Sequence, residues 1–130
     1  MSANSKQVGG SHYKPGSNVQ HWDFVAQNDL SYLVGCTTKY LVRHREKSGR
    51  QDLEKALHYI EKLRELYDRA QILVPCLSEH DLPISVETFC EANAVTGSEA
   101  RAVRLLTLWE SRDELDEAWM IVSDLIQQQG

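Results

Sequence analysis

The stretch LSYLVGCTTKYLVRHREKSGRQDLEKALHYIEKLRELYDRAQ, Leu30 to Gln71, decides the fold. Its first part places Leu30, Leu33, Val34, Thr37 and Leu41 at the three- and four-residue steps of one helix face, with no two-residue alternation. Its second part sets Leu53, Ala56, Leu57, Ile60, Leu63 and Tyr67 in a near-heptad stripe. Between them Ser48-Gly49-Arg50 reads as a tight turn, with Gly49 a natural C-terminal stop. The spacing predicts helices over 30–47 and 52–71. Two amphipathic helices joined by so short a loop pack antiparallel.

Outward from this hairpin, residues 1–17 hold three glycines, a proline and small polar residues, and read as an N-terminal arm. Asn18 is placed to cap a short helix through Gln27, with Trp22, Val25 and Ala26 on one face; Asn28-Asp29 then break it. On the other side, Pro75 and Pro83 mark a linker over 73–84. Ser85, Thr96 and Ser111 each stand where a helix would be capped, so 85–130 reads as an acidic three-helix part. The expected class is all-α: an antiparallel hairpin, residues 18–72 with the short preceding helix, plus a small C-terminal helical subdomain.

A chain of 130 residues with 42% apolar and 25% charged residues supports one globular domain with a real core. No apolar run approaches the roughly 18 residues of a membrane span, and the N-terminus has no apolar signal region. Cys36, Cys76 and Cys90 are odd in number and widely spaced, which fits reduced thiols and a cytoplasmic location. The net charge of −5 is uneven: residues 1–72 carry +3 and residues 73–130 carry −8. Such a chain is a poor general nucleic-acid binder, while a local cationic site for a small anion stays open. The asymmetry also hints at self-association. The five histidines and three cysteines show no zinc-type spacing.

Gly35, Lys39, Arg43 and Lys47 recur every four residues and line one face of the first hairpin helix. On the facing helix Asp52, Lys55 and Tyr59 share a face. Across the closed end of a hairpin these sets meet. An arginine fork, lysine point charges and tyrosine rings are what a phosphate-bearing ligand with a planar ring needs. Asp52 would orient a cation or accept from a sugar hydroxyl, and Gly35 would permit close backbone approach. The plainer reading keeps Lys39, Arg43, Lys47 and Lys55 as a solvated face beside Glu46 and Glu54, with Tyr40 and Tyr59 as core-edge aromatics. Pattern alone leaves both open.

Gly35-x-x-x-Lys39-Tyr40-Leu41-x-Arg43, Lys47 and Asp52-Leu53-x-Lys55-Ala56-x-x-Tyr59-Ile60 resemble the phage nucleotide kinase-like family of small tailed-phage proteins. The resemblance covers about residues 10–65. His12-Tyr13 match an upstream pair of that family and Asp23 an acid of its first helix; Gln20 replaces another acid, Cys36 stands where the family has Asn, and the arm lacks the His-Pro before His-Tyr. The resemblance implies a phage protein acting on nucleotides in the host cytoplasm, with phosphoryl transfer to a deoxynucleoside monophosphate.

On that basis the phosphate-binding set is His12, Tyr13, Lys39, Arg43, Lys47 and Lys55. Trp22, Tyr40 and Tyr59 would contact base or sugar, Asp23 and Asp52 would orient them, and no catalytic residue is assigned. No Walker loop is present; a nucleoside triphosphate would be the phosphate donor, and a Mg²⁺ requirement is undetermined. The alternatives are a non-catalytic binder that sequesters a nucleotide or a nucleotide-derived host defence signal, and an interaction protein inhibiting a host protein. The broad apolar face of the second hairpin helix points to a homo-oligomer. Arg43, as a ligand-facing group, is expected to be the residue least replaceable for binding and dispensable for apo stability.

Overall fold

The computed structural model describes residues 19–45 and 49–129, and no strand occurs among them. Six helices follow in order: α1 (His21–Gln27), α2 (Tyr32–Arg43), α3 (Arg50–Asp68), α4 (Val86–Ala92), α5 (Gly97–Leu108) and α6 (Arg112–Gln129). The all-α class is as the periodicity predicts.

The boundaries differ in instructive places. Residue Asn18 lies outside the described residues, and α1 begins at His21, where Asp23 Oδ2 accepts the Gln20 backbone N–H at 2.9 Å. Its buried residue is Phe24, stacked on Phe89 at 4.2 Å, while Trp22 and Ala26 are exposed. α2 starts two residues late because the Ser31 hydroxyl accepts the Val34 amide. It ends at Arg43 rather than 47, and the Gly49 amide closes the turn on the His44 carbonyl at 3.0 Å. Gly49 itself sits at φ 52°, ψ −119°, a combination that a Cβ strongly disfavours.

Three helices stop on left-handed residues that are not glycine. Asp29, Ala70 and Ala94 have φ of 53°, 56° and 57°. Behind each, the next amide reaches back five residues: Leu30 to Val25, Gln71 to Leu66 and Val95 to Cys90, at 2.8–3.0 Å.

α3 is the central element, with α2 along one side and α6 along the other; α5 completes the layer by packing on α6 and α2. Leu53, Ala56 and Ile60 of α3 are fully buried together with Leu41, Leu106, Leu115 and Val122 in one core. The C-terminal helices are therefore part of the same core as the hairpin. The broad apolar face of α3 is divided between α2 and α6 within one chain, so its breadth no longer argues for a second copy.

Polar groups tie distant segments together. Asn28 grips the backbone of Ile84 with both ends of its amide, at 2.8 and 3.0 Å, and Asn93 donates to the Val19 carbonyl. His44 Nε2 lies 2.9 Å from Glu99 Oε2, both side chains buried, and Arg45 pairs with the other Glu99 oxygen. Burial pushes the Glu99 carboxyl up, but bonds and charge from His44 and Arg45 outweigh it and hold the acid below its ordinary range. No described helix is long and apolar enough to cross a membrane.

Candidate functional site

The cationic face forms where the helical steps of α2 and α3 bring their tyrosines together. Tyr40 and Tyr59 stack nearly parallel, 9° apart with centroids 6.0 Å apart. Around the Tyr40 ring stand three cations: the Arg43 guanidinium at 4.9 Å, Lys55 Nζ at 5.1 Å and Lys39 Nζ at 5.7 Å. All lie within the roughly 6 Å over which a ring quadrupole attracts a cation. Lys39 and Lys55 are exposed, and among the described residues neither joins an ion pair. Beside them opens a shallow depression of about 460 Å³ lined by Tyr40, Gln51, Glu54, Lys55, His58 and Tyr59.

Arg43 is held differently from its neighbours. Its Nε and Nη2 both donate to Asp52, each at 3.3 Å, and the Asp52 side chain is fully buried while Arg43 remains 34% exposed. The distances are long for a charge-assisted pair. The Nε–Nη2 edge is thus engaged inside the protein, and Asp52 fixes how the guanidinium is presented. The expectation that Arg43 is dispensable for apo stability is corrected by this bond, because removing it strips a buried carboxylate of its guanidinium.

Other members of the expected set fall elsewhere. Gly35 is buried, and a Cβ built on it would lie 3.5 Å from both methyls of Val25, so its close approach is to α1 and leaves no ligand space. The Asp23 carboxylate caps its own helix as described, and Trp22 is half exposed on α1. His12, Tyr13 and Lys47 lie outside the described residues. The regular helix α2 ends at Arg43.

The structure adds residues that pattern reading passed over. Tyr32 and Cys36 precede Tyr40 by eight and four residues on the same stripe, a spacing that could have revealed them. The Tyr32 and Tyr59 hydroxyls and the Cys36 thiol gather closely. Hydrogen bonding with Cys36 pushes the Tyr32 phenol up, and the Cys36 charge does the same to Tyr59. His21, on α1, borders Lys39. Burial, assisted by the Lys39 charge, lowers its pKa to about 4. Thr38 gives its hydroxyl proton to a backbone carbonyl, so the 2.8 Å contact assigns the proton to His21 Nε2.

Residues 8–61 match DUF3310, a family of proteins of unknown function. That stretch contains α1, α2 and most of α3, hence every described member of the cationic face. No curated protein and no solved structure matches the chain. Among the described residues no cluster of three or more His, Cys, Asp or Glu is arranged to hold a metal ion.

Proposed function

We propose that this face binds a nucleotide, with its phosphates among Lys39, Lys55 and the Asp52-held Arg43 and its ring against the tyrosines. The observation that carries the reading is the gathering of three cations around one stacked tyrosine. Like charges repel, and exposed lysines gain little from meeting one another unless an anion completes the set. The sequence resemblance adds the reaction: phosphoryl transfer from a nucleoside triphosphate to a deoxynucleoside monophosphate, in the host cytoplasm of an infected bacterium. In that reaction the same cations would stabilise charge on the transferring group.

Titration of the pure protein with deoxynucleoside mono- and triphosphates, followed by calorimetry, tests the binding. Saturable binding that Lys55→Ala weakens at least tenfold is the expected result; no binding by any nucleotide sinks the proposal. Incubation with both substrates and chromatography separates turnover from sequestration. A diphosphate product supports transfer, and nucleotides recovered unchanged from a tight complex make the protein a sequestering binder.

A further inference from the structure

A second concavity lies away from the cations. Where the α1–α2 junction, α3, the segment 72–77 and the end of α5 come together, a cleft of about 410 Å³ opens. Leu30, Leu33, Leu63, Ile72 and Pro75 wall it, and Trp109, just past α5, closes it. None of Lys39, Tyr40, Arg43, Lys55 and Tyr59 lines it. Small-molecule sites have this character: roughly 300–1,000 Å³, mostly apolar, with few polar groups. Tyr32 and Leu73 also line the cleft and are 75% and 91% exposed, which puts them at its mouth. They are the two most exposed large apolar side chains among the described residues.

The polar groups of the cleft define what fits it. Both ends of the Asn28 amide are engaged by Ile84, and the Thr107 hydroxyl donates to the Val103 carbonyl. Trp109 is 1% exposed, yet its indole N–H has no hydrogen-bond partner. A buried donor left unpaired is uncommon and unfavourable. An acceptor brought into the cleft, with a tilt of the ring toward it, would satisfy it. No Lys, Arg or His lines the cleft whereas Asp29 does, so the electrostatics disfavour an anion.

We propose that this cleft binds a neutral, largely apolar small molecule whose acceptor oxygen takes the Trp109 N–H, with Tyr32 and Leu73 covering its apolar body. The inference is independent of the nucleotide reading, which concerns a different face and a charged ligand.

The neutral naphthyl ketone prodan, whose emission moves to the blue on leaving water, tests it on the full chain. Saturable, blue-shifted binding is expected, and Lys55→Ala should leave it unchanged. Dimethylaminonaphthalene, which lacks the ketone, should compete about fivefold more weakly than its parent, the worth of one hydrogen bond. The anion naphthoate should not displace the dye. Leu73→Ser and Tyr32→Ala, both at exposed positions, should each weaken prodan at least about threefold by removing apolar cover. Trp109→Phe keeps a ring but not the donor, and should erase the difference between the two naphthalenes. If that variant does not fold, the two compounds compared on the parent still decide the point. Absence of saturable binding, indifference to both mouth substitutions, equal affinity for the two naphthalenes, or displacement by naphthoate overturns the proposal. Dye binding that disappears as light scattering shows the chain pairing makes the cleft a contact between copies, and overturns it too.

Discussion

Along the side of α3 that meets α6, charged groups find each other across the seam. Arg64 bonds Asp116 at 3.0 Å, Arg112 reaches both Asp68 and Asp116, and Glu61 accepts the Trp119 indole N–H. Along the side that meets α2 near the turn, Asp52 turns inward to one arginine, and Lys39 and Lys55 crowd a tyrosine in solvent. The two sides of α3 therefore differ: charges are matched across the seam with α6, whereas on the side facing α2 Lys39 and Lys55 join no ion pair among the described residues. Matched charges are explained by folding alone. Leftover like charges gathered on aromatic rings are not, and that separates a stabilising seam from a site.

The contrast breaks most visibly if α6 is removed. A chain ending at Glu110 loses Leu115, Ala118, Val122 and Ile126, all buried. Burial of each larger side chain is worth roughly 1.5–3 kcal/mol, so together they rival the roughly 5–15 kcal/mol of a whole domain. No cooperative melting transition by circular dichroism is expected. A transition as sharp as that of the full chain would show the hairpin standing alone and dissolve the contrast.

The next effect is pH-dependent. Folded His21 takes up its proton only near pH 4, whereas an unfolded histidine does so near 6.5. Between those values the unfolded state binds more protons, so the His21 contribution to stability falls as pH drops through the window and levels out below it, where loss of the Glu99 pairing takes over. The loss is on the order of 3 kcal/mol, read from urea melts, and His21→Gln should flatten it. Adding an anion at Lys39 should raise the His21 pKa, because it cancels part of the charge that lowers it. An imidazole titration unmoved by saturating phosphate ligand would place the anion elsewhere.

Two substitutions sharpen the open side itself. Arg43→Ala should cost about 2 kcal/mol, since it deprives the buried Asp52 of its guanidinium. Lys55→Ala should change stability by less than about 0.5 kcal/mol while weakening the ligand. Equal melting points for the two variants would mean that Arg43 is as loosely held as the lysines. The smallest effect belongs to the exposed pair Arg101–Glu117: Arg101→Ala is expected to move the melting point less than either of these variants, and salt should mask even that.

The helices of this chain were legible because their apolar residues recur at helical steps, as Leu53, Ala56, Ile60 and Leu63 show. Lys39, Tyr40, Arg43, Lys55 and Tyr59 share a surface for the same reason. What escaped depends on partners distant in sequence. Nothing local announces that α6 shields α3 or that His44 meets Glu99, whereas the helical register did bring Asp52 to a cation, Arg43. The C-terminal end of α2 was overrun because Arg45 to Lys47 are good helix formers, whereas burial of His44 against α5 favours the turn. Phe24 was passed over because its short helix leaves too few turns for a stripe to show.

The left-handed helix stops leave room for improvement that the protein does not use. Each side chain at such a position costs roughly 1–2 kcal/mol, against the 0.5–1 kcal/mol of added chain entropy that a glycine brings. Ala70 and Ala94 are exposed, far from the cationic face in sequence, and carry only a methyl group. Glycine at both would lengthen the working life of the protein at elevated temperature while leaving its surface chemistry as it is. A sturdier chain of this kind would tolerate the disruptive substitutions that a thorough dissection of Asp52 and its neighbours requires.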